Sequence, residues 1–199
     1  ARKAMADFAN AATVHLVEIS PVLRRLQKSA LGADVVWHDS LATIPEGPMV
    51  LVANEFFDAI PIRQFERRNG AWLERVISIE KDRLSLGLVS ADIGNGGRDD
   101  DIVEFAPART DIARAIGERL ARRAGAALII DYGHLQSAPG DTLQAMRGHK
   151  YVPVTEAPGH CDLTSHVDFE ALGQTLARGG AVVHTGLTQR EFLLAMGLE

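Results

Sequence analysis

The sequence predicts an α/β fold: a doubly wound, mostly parallel sheet interrupted by an antiparallel hairpin insertion. Three observations carry this reading. Short apolar runs alternate with helical patterns at both ends of the chain. Acidic or amide side chains stand at the ends of four of those runs, at Glu18, Asp39, Asn54 and Asp131. An Asn-Gly pair, Asn69-Gly70, separates two strand-like segments in the middle, the strongest short hairpin signal.

The elements follow in order. Val14 to Glu18 is apolar and β-branched and reads as a buried strand. Ser20 then caps a helix that has Pro21 at its first position. Leu23, Leu26, Ala30 and Leu31 share one face of it, and Gly32 marks its end. Ala33 to His38 is a second short strand. Pro48 to Ala53 is a third, without alternation, so it is expected to be covered on both faces. Gln64 to Arg68 and Trp72 to Ile79 form the hairpin, and Arg83 to Leu88 adds a third antiparallel strand. Asp92 to Asp101 is rich in Gly and Asp and reads as a mobile loop.

The α/β rhythm resumes at Thr110, where Ile112, Ile116 and Leu120 share a helical face that Gly125 ends. Ala126 to Asp131 is the clearest buried strand. His134 to Thr164 reads as a long irregular segment, of the kind that forms lids. Asp168 caps a helix from Phe169 to Arg178, Ala181 to Thr185 reads as a last strand, and a helix starts at Gln189. The expected division is an α/β core over 1–61 and 104–199 with the insertion at 62–103. Ala1 already reads as helix and Glu199 follows a Leu-rich helix, so the chain is expected to be a piece of a longer one.

Composition narrows the function classes. The 199 residues carry 21 Lys and Arg against 26 Asp and Glu, a net charge of −5, which argues against a dedicated nucleic-acid binder. The single Cys161 excludes an internal disulfide and fits a reducing compartment. No apolar run approaches the ~18 residues of a membrane span, and no signal peptide is visible. His134, His149, His160, Cys161 and His166 show no metal-ligand spacing, so no metal site is expected.

In open α/β sheets ligands bind beyond the carboxyl ends of the strands. Glu18 suits a ribose, because two acceptor oxygens match a vicinal diol, and Asp39 suits an adenine amino group. Asn54 is able to orient a substrate without charge. Glu55 and Asp58 are able to grip a cation, with Phe56 and Phe57 excluding water. Plain structural roles stay open at this point: Glu18 as a solvated strand end, Asn54 as a helix cap, and the two Phe as core.

Five ordered motifs and a closing segment carry a resemblance. Val17–Pro21, Asn54–Pro61, Ile130–Gly133, Asp141–His149 and Asp162–Phe169, with Gln189–Leu193, resemble the MidA family of S-adenosylmethionine-dependent methyltransferases. Mitochondrial members of that family are protein arginine methyltransferases that assist assembly of respiratory complex I. The resemblance implies a class I methyltransferase fold with S-adenosylmethionine as cofactor. It implies Glu18 on the ribose, Asp39 and Ser40 on the adenine, and Asn54 near the methionine part and the transferred methyl. It implies a protein substrate, a complex I subunit or its bacterial equivalent, in the bacterial cytoplasm or the mitochondrial matrix. A dinucleotide-dependent oxidoreductase and a non-catalytic assembly factor are the alternatives.

The family's glycine-rich loop has no counterpart here, since Gly94 to Gly97 does not follow a strand. The first strand and that loop are therefore expected to lie outside this chain. Val14 to Glu18 then corresponds to the second strand of the fold. Val17 and Val52 are expected about two strand spacings apart, ~9.6 Å, with an empty place between them.

Overall fold

The computed structural model describes residues 6–32 and 34–198. Ala1, Ala33 and Glu199, which the sequence reading used as element ends, lie outside the described residues. The chain forms two compact units, 1–47 and 48–199.

The first unit runs α1 (Ala6–Ala11), β1 (Val14–Val17), α2 (Pro21–Leu31) and β2 (Val35–His38), then a single 3-10 turn at Leu41–Thr43. β1 and β2 pair in parallel, from Val14 opposite Val35 to Val17 opposite His38. Ser20 caps α2 as expected, its hydroxyl accepting from the Leu23 amide at 3.3 Å. The apolar face of α2 is not buried: Leu23, Leu26 and Leu31 are each about half exposed. Two strands of four residues offer too little surface to cover an eleven-residue helix.

The second unit begins with β3 (Met49–Asn54) and an antiparallel group, β4 (Arg63–Arg68), β5 (Ala71–Glu80), β6 (Arg83–Ala91) and β7 (Ile102–Phe105). It continues through α3 (Pro107–Arg122), β8 (Gly125–Ile130), β9 (Gly133–His134), β10 (Gln144–Arg147), β11 (Lys150–Val152) and β12 (Asp162–Thr164). β13 (Val167–Asp168), α4 (Phe169–Arg178) and α5 (Gln189–Ala195) complete it. β3 and β8 are parallel, from Met49 opposite Gly125 to Asn54 opposite Ile130. The two parallel pairs, β1–β2 and β3–β8, are separate two-stranded sheets.

The antiparallel group forms one sheet in the order β6-β5-β4-β7. Asn69 and Gly70, with φ of 50° and 76°, make the two-residue turn the sequence predicts. Lys81 and Asp82, also at positive φ, make a second one between β5 and β6. The Asp92–Asp101 loop is tied down rather than loose. Arg67 Nη1 and Trp72 Nε1 both donate to the Gly96 carbonyl, at 2.9 and 3.1 Å. At Gly97 a Cβ would meet the Trp72 ring at 2.7 Å, so only glycine fits there.

Four further expectations are corrected. β3 alternates in exposure, with Val50 at 69% and Val52 at 64%, so one face of it is uncovered. α3 stops at Arg122, and Gly125 opens β8 instead of ending the helix. His134–Thr164 is not irregular, because β10 is flanked by β11 and β12 in a small antiparallel sheet. Ala181–Thr185 has no ladder, and Val182 is 84% exposed.

α3 and α4 pack directly. A Cβ at Gly117 would lie 2.4 Å from the Leu176 carbonyl, so glycine sets their approach. Ala113, Ile116, Leu172 and Leu176 are buried on these helices, and Phe57 and Val167 are fully buried near the carboxyl ends of β3 and β8.

Candidate functional site

In the first unit the carboxyl ends of β1 and β2 place Glu18 and Asp39 side by side in one polar network. Ser20 N donates to Glu18 Oε1 at 2.8 Å and Gln27 Nε2 to Glu18 Oε2 at 3.0 Å. Trp37 Nε1 in turn donates to Gln27 Oε1 at 2.9 Å. Arg24 donates to the Glu18 carbonyl and the Asp39 carboxylate, and to the His38 carbonyl at 3.1 Å. Each carboxylate oxygen offers two lone pairs, so Glu18 keeps one acceptor site on each oxygen beyond these bonds. That capacity fits two ribose hydroxyls. The Asp39 side chain is 81% exposed and Ser40 is exposed beside it, both accessible to a ligand amino group. Beneath them the His15 and His38 rings share a hydrogen bond of 2.8 Å, and His38 Nδ1 lies 3.0 Å from the Thr43 hydroxyl.

In the second unit Asn54 is the last residue of β3 and is exposed. Glu55 follows with φ of 47°, a left-handed conformation that non-glycine residues adopt at a cost. Its amide still donates to the Ile130 carbonyl, at 2.9 Å, extending the ladder by one rung. The chain then turns across the end of β8. Asp131 Oδ2 accepts from the amides of Phe57 at 2.9 Å and Asp58 at 3.2 Å, while Oδ1 accepts from Tyr132 N at 2.9 Å.

Asp58 is buried, and its Oδ1 has no hydrogen-bond partner. Burial holds its carboxyl above the ordinary value of 3.8. The Asp131 charge pushes it further, the Ala59 amide opposes this, and Glu55 and Asp162 add smaller upward pushes. Phe57 is wholly buried and Phe56 meets it edge-on, with ring centres 5.1 Å apart.

Arg109 secures the far side of this turn. Its guanidinium reaches the His166 carbonyl at 2.7 Å, the Asp58 and Ser165 carbonyls at 3.2 Å, and the Ser165 hydroxyl at 2.5 Å. Burial pulls its proton affinity down, against the opposing charges of Asp131, Glu104 and Asp58. Ser165 N also donates to the Asp58 carbonyl, at 3.0 Å. A second layer links this region to the antiparallel sheet. Thr142 Oγ1 donates to Glu104 Oε2 at 2.5 Å and accepts from His166 N at 2.9 Å, and Gln64 joins Glu104 to Asp141.

The structure thus brings Glu18, Asp39 and Ser40 together in one unit, and Asn54, Glu55 and Asp58 together in the other. The sequence marks Asp131 as a strand end and a motif residue, and Thr142 and Ser165 only as motif residues without a role; it does not single out Arg109. Arg109 did carry a signal: it lies in the first turn of α3, where the helix dipole disfavours a cation, so its charge needs another partner. Of the loop histidines and cysteine, Cys161 donates to the Glu156 carbonyl at 3.2 Å and His134 lies 4.0 Å from Asp168.

Comparisons with known proteins agree on one family. A family model described as "Putative S-adenosyl-L-methionine-dependent methyltransferase" matches residues 1–186. Among curated proteins, "Protein arginine methyltransferase NDUFAF7, mitochondrial" of Danio rerio is 32% identical, covering 94% of this chain and 51% of that protein. The Caenorhabditis elegans homolog is 33% identical, covering 90% of this chain and 44% of that protein. Among solved structures, a Burkholderia thailandensis protein bound to S-adenosyl-homocysteine superposes with a TM-score of 0.74 at 25% identity. That match covers 90% of this chain and 51% of that one. The chain spans about half the length of the curated relatives it matches.

Proposed function

The chain belongs to this methyltransferase family, and on that premise we propose that it carries part of the active site of an S-adenosylmethionine-dependent enzyme that methylates arginine on a protein. The observation that carries the reading is the acidic turn at the ends of β3 and β8, where Glu55, Asp58 and Asp131 follow two parallel strands. The names of the curated relatives support arginine as the acceptor.

Glu18 is proposed to hold the ribose, Asp39 and Ser40 the adenine, and Asn54 the methionine part. When bound, S-adenosylmethionine supplies the methyl group. The acceptor nitrogen must present a lone pair, yet a guanidinium stays protonated because its pKa exceeds ~12. Glu55 is the first candidate to hold that charge on the far nitrogens, and Asp58 the second, two acceptors matching the guanidinium fork. Positioning of this kind contributes several kcal/mol, up to roughly 7–11 in ideal cases. Asp58, with its raised proton affinity, is also suited to receive the proton the acceptor nitrogen releases.

The proposed partner is a protein substrate, a respiratory complex I subunit or its bacterial equivalent. The proposed location is the cytoplasm in a bacterium or the mitochondrial matrix in a eukaryote. Among the described residues, no helix is long and apolar enough to cross a membrane. The antiparallel insertion at 62–103 is proposed to serve either substrate docking or dimerisation.

Calorimetric titration with S-adenosylhomocysteine and with NAD tests the reading. Binding of the first and not the second is expected, followed by methyl incorporation into arginine of an acceptor protein. NAD binding in its place would move the chain to the oxidoreductases. Cofactor binding without methyl transfer would leave an assembly factor that keeps the fold.

A further inference from the structure

We propose that Asp131 is the positioning residue of the methyl-transfer site, its carboxylate setting the turn that presents Asn54 and Glu55 to the acceptor; this rests on the function proposed above. β3 and β8 end together at Asn54 and Ile130. A chain leaving β3 there would carry free amides past the end of the sheet. Asp131 instead captures two consecutive ones, those of Phe57 and Asp58, on a single oxygen. Its other oxygen accepts from Tyr132 N and so fixes the carboxylate's own orientation.

Glu55 adds the second strand of the argument. It sits at φ 47° although it is not glycine, and a strained residue persists only where its surroundings hold it. Upstream, the Ile130 carbonyl binds its amide. Downstream, the bonds from Asp131 keep Phe57 and Asp58 from relaxing. On the opposite side Arg109 and Ser165 bind the Asp58 carbonyl. The turn is therefore held by its N–H groups from one direction and by a carbonyl from the other. Asp131 touches neither Asn54 nor Glu55 by its side-chain bonds, so its effect on them passes through the turn.

The test uses the chain with Asp131→Ala and Asp131→Asn. The amide oxygen in D131N still accepts from Phe57 and Asp58, while the charge is gone. In D131A the amides of Phe57 and Asp58 should exchange with solvent about tenfold faster or more, as loss of a hydrogen bond implies. S-adenosylhomocysteine should bind up to about tenfold more weakly, since Asn54 alone of the proposed cofactor contacts adjoins the turn. With an arginine-rich peptide as acceptor, kcat should fall roughly 100-fold at nearly constant KM, the scale of a 1 Å misplacement.

D131N should restore both exchange protection and most of kcat, and it carries the test if D131A does not fold. Wild-type exchange rates at Phe57 and Asp58 in D131A would overturn the proposal. So would D131N losing as much kcat as D131A, because charge and not turn geometry would then be at work. Failure of the wild-type chain to bind S-adenosylhomocysteine counts separately against the cofactor contacts proposed for this chain, and the exchange rates still decide whether Asp131 holds the turn.

Discussion

Arg109 donates to the Ser165 hydroxyl at 2.5 Å, and the same nitrogen reaches the Asp58 carbonyl at 3.2 Å. One buried side chain therefore joins the turn after β3 to the segment just before β13, and both lie beside the acidic end of the β3–β8 pair. Replacing Arg109 with Ala takes the donor from the His166 and Ser165 carbonyls, while the Asp58 carbonyl keeps the Ser165 amide. The expected loss of folding stability is about 3 kcal/mol, read from urea unfolding. Lys keeps the charge but not the planar fork, so R109K should fall between. An R109A variant as stable as wild type would show that water replaces the guanidinium fully.

Asp58 gives a pH dependence with a definite sign. Its carboxyl is held above 3.8 in the folded chain, chiefly by burial. Ionising it therefore opposes folding. Its contribution is fully present below the ordinary value and is lost as pH rises through the raised one. In Asp58→Asn that loss cannot occur. The stability of D58N relative to wild type should climb as pH rises from about 4 towards neutrality. A difference that stays flat across that range would contradict the burial argument.

Glu55 separates stability from activity. E55Q keeps shape and removes charge, so cofactor affinity should hold while turnover to arginine disappears. Unchanged methyl transfer in E55Q would rule Glu55 out as the guanidinium clamp. Glu55→Gly relieves the left-handed backbone and should stabilise the fold by roughly 0.5–1 kcal/mol, also without turnover. A destabilised E55G variant would mean that the side chain contributes more to folding than its backbone costs.

Glu18 is the matching test in the first unit. Its two oxygens already accept from Ser20 and Gln27, so E18A removes a helix-start contact together with the proposed ribose ligand. S-adenosylhomocysteine should bind about 10- to 100-fold more weakly, as expected for charge-assisted hydrogen bonds. Gln27→Ala removes the supporting bond to the carboxylate and the acceptor of Trp37 Nε1, but not the proposed ribose ligand, and should cost less. Equal losses in the two variants would assign Glu18 to local structure alone.

Legibility in the sequence followed the range of the interactions. Ser20-Pro21, Asn69-Gly70 and the Asp168 cap act within a few residues, and each element they announce is present. The β10–β12 sheet pairs Gln144 with Thr164 through strands of three or four residues, too short to leave a period. Val182 and Val183 have strand composition, but a strand needs a neighbour to pair with, and none is provided among the described residues. The site divided the same way. Acidic strand ends such as Glu18 and Glu55 stand out because of where the strands stop. The capture of Phe57 and Asp58 by Asp131 joins a side chain to backbone groups distant in sequence, and no residue pattern encodes such a bond.

The two tight turns at Asn69-Gly70 and Lys81-Asp82 also have a kinetic consequence. They join β4, β5 and β6 so that every pairing in that meander closes between near neighbours along the chain, a type of contact that forms in about 1–10 μs. The β3–β8 ladder must instead bring Val50 to Ala126, across the whole intervening chain, before its first rung contributes anything. The meander is therefore expected to assemble first and the acidic turn last. Pulse-labelled amide exchange during refolding should show Trp72 and Val76 protected well before Phe57. The residues proposed to hold the acceptor arginine are thus the late ones, completed on a scaffold whose local pairings already stand.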